Sequence, residues 1–580
     1  MKNPVLRKRL SRRKALSTAG KVAISAVVAG VVAGVGGYLA GSSAVPAAET
    51  ITQKVTETKT VTTGAPGAAT VTETVTKTAA AETVTKTVTK TVTGAAPTTV
   101  TPELTLHFIS PEWLPGRLTG MIAEKFPQWS YEKIGKAVAV VMDLVPWDSF
   151  HDRLATLMAA KSAEPTLIIS DSQWLGELYT GGHILRMNPI IEKDPEQQQL
   201  LNRFDDALIT YYMTYPQGNR DNIVGFGHEG DVCLIVYRYD IFSDPGEREN
   251  FKAEYGYDLP VEYEDWYPAQ VDWTQVRDIA KFFTRKAGDE LAGKKLEEDF
   301  YGIGMHWSKA YDAIGCHFST ILACWGEYLW DPVTGEVEGI LNSDRAVKAL
   351  EFYKEMTNYA PPNALELWFD EVNSVMQAGR IAMIYNWAGF QPSLFDPSAS
   401  KVYNVLKVVP PPGHLGDDGK FRRYSCIGGQ PMCVNAHSPH SEEALAFFKF
   451  WFEPEQQKMW AEGGGGCCLK DVINTDWFKG LTPYNRAYAD SIPMQFDFWN
   501  IPFYAEMLMA VQEEIHAYLS GQGTAKEALD RLVKRHKEII EAEGYPDSYP
   551  EEFRFPPDKK TPFDVIRAGE PMSEVGKPKK

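Results

Sequence analysis

Large aromatic and acidic side chains stand where short apolar segments of this sequence end. In the segment 379–390, the apolar run 381–385 is followed by Asn386, Trp387 and two small residues. A continuous apolar run of this length predicts a buried strand, and open α/β sheets bind ligands just outside their strand ends. Trp387 is therefore a candidate for lining a cleft. Core packing is the alternative, because tryptophan is largely buried on average.

Two further sites follow the same pattern. Asp171 and Trp174 come after the apolar run 166–169 and combine a hydrogen-bond acceptor with a stacking platform. A helix cap is the commoner role for such an aspartate. Trp113 follows the run 104–109, and the prolines near it favour a fixed, partly exposed ring.

Other candidates have a structural explanation of equal weight. Trp307 and Tyr311 are four residues apart and would share one face of a predicted helix, where they could pack in the core or contact a ligand. Gly429 could let a ligand approach the backbone, and a β-bulge is the plainer interpretation.

The sequence lacks the motifs of several common enzyme classes. It contains no Gly-x-Ser-x-Gly elbow, no His-Glu-x-x-His and no phosphate-binding loop, and its Cys and His residues have no zinc-site spacing. We therefore expect no catalytic residues, no cofactor and no metal. Glycosidases need only two suitably placed carboxyl groups, so an exported carbohydrate-active hydrolase stays an alternative.

Size and charge limit the other possibilities. The chain has 580 residues, too many for one core, and a net charge of -17 that opposes nucleic-acid binding. Its seven cysteines do not make a disulfide scaffold, and their odd number leaves at least one thiol unpaired within a monomer.

The N-terminal region predicts export. Residues 1–45 combine the pair Arg12 and Arg13 with the apolar run 22–40, a pattern that resembles a twin-arginine signal. An ordinary secretion signal is the alternative, and the run could be cleaved or kept as a membrane anchor. Residues 46–102 are rich in Thr-Val repeats and predict a disordered, extended stalk that could carry O-linked glycans.

From residue 103 onward, predicted strands alternate with predicted helices, which favours an α/β fold with mostly parallel sheets. The glycine run 463–466 predicts a flexible connection. Residues 546–580 are rich in proline and charge, and no structure is predicted for this C-terminal extension.

Four segments in this order resemble the extracellular solute-binding proteins of ABC importers, in the maltose-binding-like sugar group. They are a lobe-crossing strand, a helix with its Gly-x-x-Ala-Met strand and aromatic turn, a returning strand with an Asn-x-x-Ser-Pro turn, and a C-terminal aromatic stretch. Their residues are 234–242, 369–390, 427–439 and 494–519. Arg238 and Tyr239 depart from the Asn-Lys that is usual in the crossing strand.

The resemblance implies a two-lobed, type II periplasmic-binding-protein-like fold with a hinge and with ligand in the cleft. Lobe 1 would comprise residues 103–235 and 408–462, and lobe 2 residues 236–407 and 463–545. Asp231 would supply a carboxylate just before the crossing strand. Trp499 and Phe503, in the last motif, would be among the aromatics that face the ligand.

The predicted function is to capture a sugar or oligosaccharide outside the cell and to deliver it to an ABC permease with its cytoplasmic ATPase. The protein would be a monomer on the outer face of the membrane, anchored through its N-terminal segment or secreted if the signal is cleaved. A polyamine, a peptide or an anion remains an alternative ligand.

Overall fold

The computed structural model describes residues 54–56, 69–79, 82–92 and 100–579, without the side chain of Asp148. The chain divides into two units, residues 1–98 and residues 99–580. The predicted membrane segment, 22–40, lies outside the described residues. Among the helices that are described, none is long and apolar enough to cross a membrane.

In the first unit, the repeats form three antiparallel strands: β1 (Lys54–Thr56), β2 (Ala69–Ala79) and β3 (Glu82–Val92). The expectation of a disordered stalk is therefore wrong for these residues. Threonine and valine are β-branched and favour extended backbone. Their alternation lets β2 and β3 pair along their whole length, from Ala69 with Val92 to Ala79 with Glu82.

The second unit contains two main sheets and many helices. Its strands are β4 (Leu104–Pro111), β5 (Val138–Val145), β6 (Leu167–Ile169), β7 (Phe226–Glu229), β8 (Cys233–Arg238), β9 (Glu290–Leu291), β10 (Lys294–Lys295), β11 (Tyr301–Gly304), β12 (Ile381–Trp387), β13 (Leu406–Val409), β14 (His414–Leu415), β15 (Phe421–Arg422), β16 (Ser425–Cys426), β17 (Gln430–Val434) and β18 (Gln495–Phe496).

The α-helices of the second unit are α1 (Leu114–Ala123), α2 (Phe126–Ile134), α3 (Trp147–Ala159), α4 (Leu175–Thr180), α5 (Asn188–Ile191), α6 (Pro195–Leu201), α7 (Asp206–Leu208), α8 (Tyr239–Phe242), α9 (Pro245–Tyr255), α10 (Tyr263–Trp266), α11 (Trp273–Phe283), α12 (Ala313–Cys324), α13 (Asp344–Glu355), α14 (Phe369–Gln377), α15 (Ser441–Trp451), α16 (Pro454–Glu462), α17 (Lys470–Ile473), α18 (Asp476–Lys479), α19 (Asn485–Ser491), α20 (Tyr504–Leu519), α21 (Ala525–Glu543) and α22 (Pro562–Ala568).

The first main sheet has five strands in the order β5-β4-β6-β17-β7. Strand β4 runs parallel to β5 and β6, whereas β17 is antiparallel to its neighbours β6 and β7. Apolar side chains of β4 and α2 are buried in its core, including Leu106, Phe108 and Phe126. Helix α15, which comes late in the sequence, also packs here through the contact of Phe447 with Phe126.

The second main sheet has four strands in the order β11-β12-β8-β13. Strands β11 and β12 are parallel, and β8 is antiparallel to both β12 and β13. Every residue of β12 is buried, as its continuous apolar run predicts. The chain passes from the first sheet to the second between Glu229, which ends β7, and Cys233, which begins β8. The predicted α/β fold is confirmed.

Two C-terminal segments are more ordered than the sequence suggests. The glycine run 463–466 packs closely, with hydrogen bonds from Gly230 N to Gly466 O and from Gly466 N to Glu229 Oε2. The prediction of a flexible connection is wrong, because glycines also serve where backbones must pass close together. Residues 546–579 fold against the body and include α22 and the buried side chains of Phe555 and Ile566.

Candidate functional site

The parallel strands of both sheets end next to aromatic residues. Trp113 follows β4, Trp147 follows β5 and Trp174 comes shortly after β6, while Phe390 follows β12 in the other sheet. The ring centroids of Trp113 and Phe390 lie 6.3 Å apart. The two sheets therefore bring these strand ends together, at the place where α/β sheets bind ligands.

A path of ring contacts runs between the two sheets. Its successive members, with centroid separations of 4.2 to 6.3 Å, are Trp174, Phe150, Trp147, Trp113, Phe390 and Phe369. Trp174 and Phe150 are buried, and the other four rings are partly exposed. Partly exposed rings next to one another form an apolar wall that a ligand can reach.

Hydrogen bonds also connect the two sides. The indole Nε1 of Trp174 donates to the hydroxyl of Tyr311 at 3.0 Å, and that hydroxyl donates to Asp171 Oδ2 at 3.3 Å. Asp171 and Trp174 come from the first sheet, while Tyr311 precedes α12, whose His317 ring contacts Tyr385 of β12. Three of the predicted site residues thus meet in one cluster.

Three carboxyl groups lie at this cluster. Burial raises the pKa of Asp171 to about 7, and the charge of Asp312 adds to the shift. Burial likewise raises the pKa of Asp312 to about 6. The pKa of Asp497 is raised well above its usual range by burial and by the charges of the other two.

His151 lies beside the same cluster. Its ring contacts that of Trp174, with centroids 4.8 Å apart, and its Nε2 lies 2.9 Å from Glu177 Oε2. Burial opposes protonation of His151, but the hydrogen bond and charge of Glu177 outweigh that effect and raise its pKa.

Trp387 lies at the junction of the two sheets and is only 6% exposed. Its ring packs on the backbone of Gly428, where an added Cβ would come within 2.6 Å of it. Next to it, the amide of Asn386 donates to Asn373 Oδ1 and its oxygen accepts from the Trp387 N–H. Ligand contact by Trp387 stays a prediction.

Asp231 holds the turn that follows Trp387. Its Oδ1 accepts hydrogen bonds from the N–H of Val232 at 2.8 Å and of Gly389 at 3.0 Å. Burial raises the pKa of this carboxyl to about 7, although both hydrogen bonds favour the ionised form. The structure gives Asp231 a positioning role between the crossing segment and the aromatic turn.

The structure places other predicted residues away from the cluster. Trp307 is fully buried, and its Nε1 donates to the carbonyl of Tyr353. The helix predicted to carry Trp307 and Tyr311 is wrong, because the chain turns at Tyr311, with a φ of 26°, and α12 begins only at Ala313.

The C-terminal aromatic candidates are also buried. Trp499 packs edge-on against the ring of His536, and Phe503 packs against Tyr545 and Tyr549. Gly429 lies so close to the hydroxyl of Tyr212 and the carbonyl of Glu229 that a Cβ would collide with both. This close approach serves packing within the protein, and these three expected ligand contacts are not supported by the structure.

Sequence reasoning missed several residues of the cluster. Trp147 obeys the strand-end rule that singled out Trp113, and Phe390 lies three residues after Trp387, so both had a usable signal. Asp312 and Asp497 had none, because only the folded chain brings them to Asp171. In the described part of the chain, no group of three or more His, Cys, Asp or Glu could hold a metal ion.

All seven cysteines, which lie within residues 100–579, are buried and free. The expectation of at least one unpaired thiol is confirmed. The Sγ of Cys233 lies 3.6 Å from Nε2 of His317 in the core beside β12.

A protein-family model described as "Bacterial extracellular solute-binding protein" matches residues 116–458. Among solved structures, an ABC transporter solute-binding protein from Agrobacterium radiobacter in complex with ribitol is 18% identical, with a TM-score of 0.60. The match covers 76% of this chain and 99% of that one.

Two further structures are similar. A maltose-bound protein of T. maritima is 19% identical with a TM-score of 0.57, over 75% of this chain and all of that one. A cyclic α-maltosyl-1,6-maltose-binding protein from Arthrobacter globiformis is 16% identical with a TM-score of 0.56, over 76% of this chain and all of that one. At these identities the likeness shows a shared fold.

Proposed function

The chain belongs to the bacterial extracellular solute-binding protein family, and we propose that the solute it binds is a sugar or oligosaccharide delivered to an ABC importer. Membership of this family makes it an exported binding protein and not an enzyme. The partner in this proposal is a membrane permease with a cytoplasmic ATPase, and the protein acts as a monomer.

The observation that carries the proposal is the wall of partly exposed rings between the two sheets. Trp113, Trp147 and Phe390 lie in contact at the ends of three parallel strands. Sugars have apolar C–H faces that pack on such rings and hydroxyl groups that need polar partners. Asp171 and Tyr311 supply such partners beside the wall. The ligands named for the similar structures, ribitol and maltose among them, are in line with this choice.

Binding would work through a shift in the balance between open and closed arrangements of the two sheets. The hydrogen bond from Trp174 to Tyr311 joins groups from opposite sides of the site. A ligand that contacts both sides stabilises the closed arrangement by as much as its affinity for that state exceeds its affinity for the open one. In the proposed mechanism the permease recognises the closed form.

The proposal for the N-terminal part depends on the sequence alone. A twin-arginine signal within residues 1–45 would export the protein, and its apolar run would hold the protein on the outer face of the membrane. Residues 46–102 would then act as a spacer between that anchor and the solute-binding unit.

The test is a titration of the purified chain with a panel of mono- and oligosaccharides, followed by tryptophan fluorescence and calorimetry. We expect saturable binding of at least one sugar, weakened about tenfold or more by Trp113→Ala, since one stacking ring contributes roughly 1–2 kcal/mol. Trp477→Ala is the control, because that ring is 41% exposed on α18 and its loss should leave affinity unchanged. Saturable binding of only a peptide or an inorganic anion would overturn the proposal.

A further inference from the structure

Three distant parts of the chain contribute buried carboxyl groups to one cluster. Asp171 follows β6, Asp312 precedes α12 and Asp497 follows β18. Asp171 is 8% exposed and Asp497 is 1% exposed, while Asp312 is only partly buried. The mutual charge interactions of the three groups raise the pKa of Asp171 and of Asp497, in addition to the effect of burial. Partial exposure of Asp312 and of the neighbouring Tyr311 ring gives access to the cluster from the aromatic wall.

The hydrogen bonds within the cluster satisfy only some of its oxygens. Asp171 accepts from the hydroxyls of Ser172 and Tyr311, both at 3.3 Å. Asp497 Oδ1 accepts from the N–H of Phe498 at 2.8 Å. Side-chain hydrogen bonds from Cys316 and Gln173 stabilise the ionised form of Asp312.

Two buried polar atoms of the cluster have no hydrogen-bond partner: Asp497 Oδ2 and Gln173 Oε1. Gln173 is 2% exposed, and because its amide nitrogen is directed to Asp312, the free oxygen also lies at the cluster. Within residues 100–579, no lysine or arginine forms an ion pair with any of the three carboxylates; the nearest basic group is His151, whose charge acts on Asp171. Buried carboxylates without a cationic partner carry a large desolvation cost.

We infer that the bound sugar carries a protonated amino group, which lies among Asp171, Asp312 and Asp497. This inference rests on the proposed sugar-binding function and names the class of sugar. An ammonium group has three N–H donors and a positive charge, so it can use the free oxygens of Asp497 and Gln173 and also offset the carboxylate charges.

The surroundings suit an ammonium better than a metal ion. The rings of Trp174 and Tyr311 lie at the cluster, and aromatic faces attract ammonium cations. By contrast, the carboxylates are not arranged as a set that could hold a metal ion, in the described residues. Ligands of the similar structures, such as ribitol and maltose, are neutral, so a charged amino sugar would set this chain apart from them.

The experiment compares matched ligands by calorimetry on the full chain at pH 7. The pairs are glucose with glucosamine, galactose with galactosamine, and the β-1,4-linked glucose oligosaccharides with the corresponding glucosamine oligosaccharides, in which an amine replaces one hydroxyl per ring. Spermidine is the sugar-free amine. We expect an amino sugar to bind at least tenfold more tightly than its neutral partner.

Two variants test the assignment of the cluster. Asp497→Asn and Asp312→Asn should each reduce the preference for the amine about tenfold while leaving the affinity for the neutral sugar within twofold. Asp417→Asn, on a carboxylate that is 88% exposed, is the matched control and should keep the preference. Having two independent variants keeps the test decisive if one of them fails to fold.

The possible outcomes separate this inference from the function on which it rests. Equal or tighter binding of the neutral sugar would overturn the amino-group inference and leave sugar binding intact. An amine preference that survives both variants would also overturn it. Binding of spermidine alone, or of no carbohydrate, would overturn the sugar function and the inference together.

Discussion

At the scale of single residues, Asp231 shows how a buried carboxyl can position a site without contacting the ligand. It lies on the crossing segment between the sheets and accepts the N–H of Gly389, two residues after Trp387. Burial is the largest influence on its pKa and raises it to about 7. The neighbouring Glu229 is also buried, and its raised pKa reflects burial and the charge of Asp231.

This raised pKa predicts a pH-dependent contribution to stability. In the unfolded chain the carboxyl titrates near its ordinary value, so the folded state binds more protons between about pH 4 and 7. Stability from this group is therefore full below about pH 4 and is lost as the pH rises through 7. The loss amounts to at most about 4 kcal/mol, since one pKa unit is worth about 1.4 kcal/mol.

Asp231→Asn should remove that dependence. The Asn Oδ1 can still accept from Gly389, so the turn should persist, and calorimetric Tm should fall less between pH 5 and pH 8 in the variant than in the native chain. Asp417→Asn, at an exposed site, should retain the native pH dependence. Parallel Tm profiles for Asp231→Asn and the native chain would contradict this assignment.

At the scale of elements, the glycine run 463–466 is a packed crossing point. A Cβ on Gly465 would collide with the ring of Trp460, and one on Gly466 would collide with the carbonyl of Gly230. Both obstacles are rigid, because one is a fully buried indole and the other is backbone. The run thus lets α16 turn back across the segment that joins the two sheets.

Gly465→Ala should therefore destabilise the protein by about 1–3 kcal/mol, the usual cost of overpacking a filled site. The control is Gly246→Ala in the first turn of α9, where a Cβ would meet only the flexible side chain of Asp244. That change should be neutral or slightly stabilising, because alanine favours helix. Urea unfolding measures both, and equal free energies for the two variants would argue against tight packing of the run.

The sequence predicted elements better than it predicted the site. Strand β12 and the residues at the ends of β4 and β6 could be found, because continuous apolar runs and the residues after them are local signals. Trp307 was misplaced since the turn at Tyr311 ends any shared helical face. Whether Trp499 would pack on His536 or face a cleft depends on contacts formed only in the folded chain.

At the scale of the whole molecule, the C-terminal residues 551–575 join the surroundings of both sheets. On one side, the hydroxyl of Tyr211 donates to Met572 Sδ in the packing around β7 and β17. On the other, the fully buried Arg422 donates to the carbonyls of Ile566 and Arg567. This segment lies beyond the residues matched by the family model.

An ion pair strengthens the second of these attachments. The guanidinium of Arg567 makes two hydrogen bonds to Glu327, at 2.8 and 3.1 Å, and Glu327 is almost fully buried. The hydroxyl of Tyr424 adds a bond to the carbonyl of Glu570 at 2.7 Å. Because the segment contacts both sides, we expect it to stabilise the fold as a whole instead of one half of it.

Ile566→Ala tests this role. The side chain is fully buried in α22, so its truncation should cost about 2–4 kcal/mol of unfolding free energy through lost burial and the cavity that remains. The matched change Lys577→Ala removes an exposed side chain paired with Glu574 and should cost less than about 0.5 kcal/mol. If the segment holds both sides, chemical unfolding of Ile566→Ala should remain a single transition with a lower midpoint. A separate early transition, or a free energy equal to that of Lys577→Ala, would mean that the segment is only loosely attached.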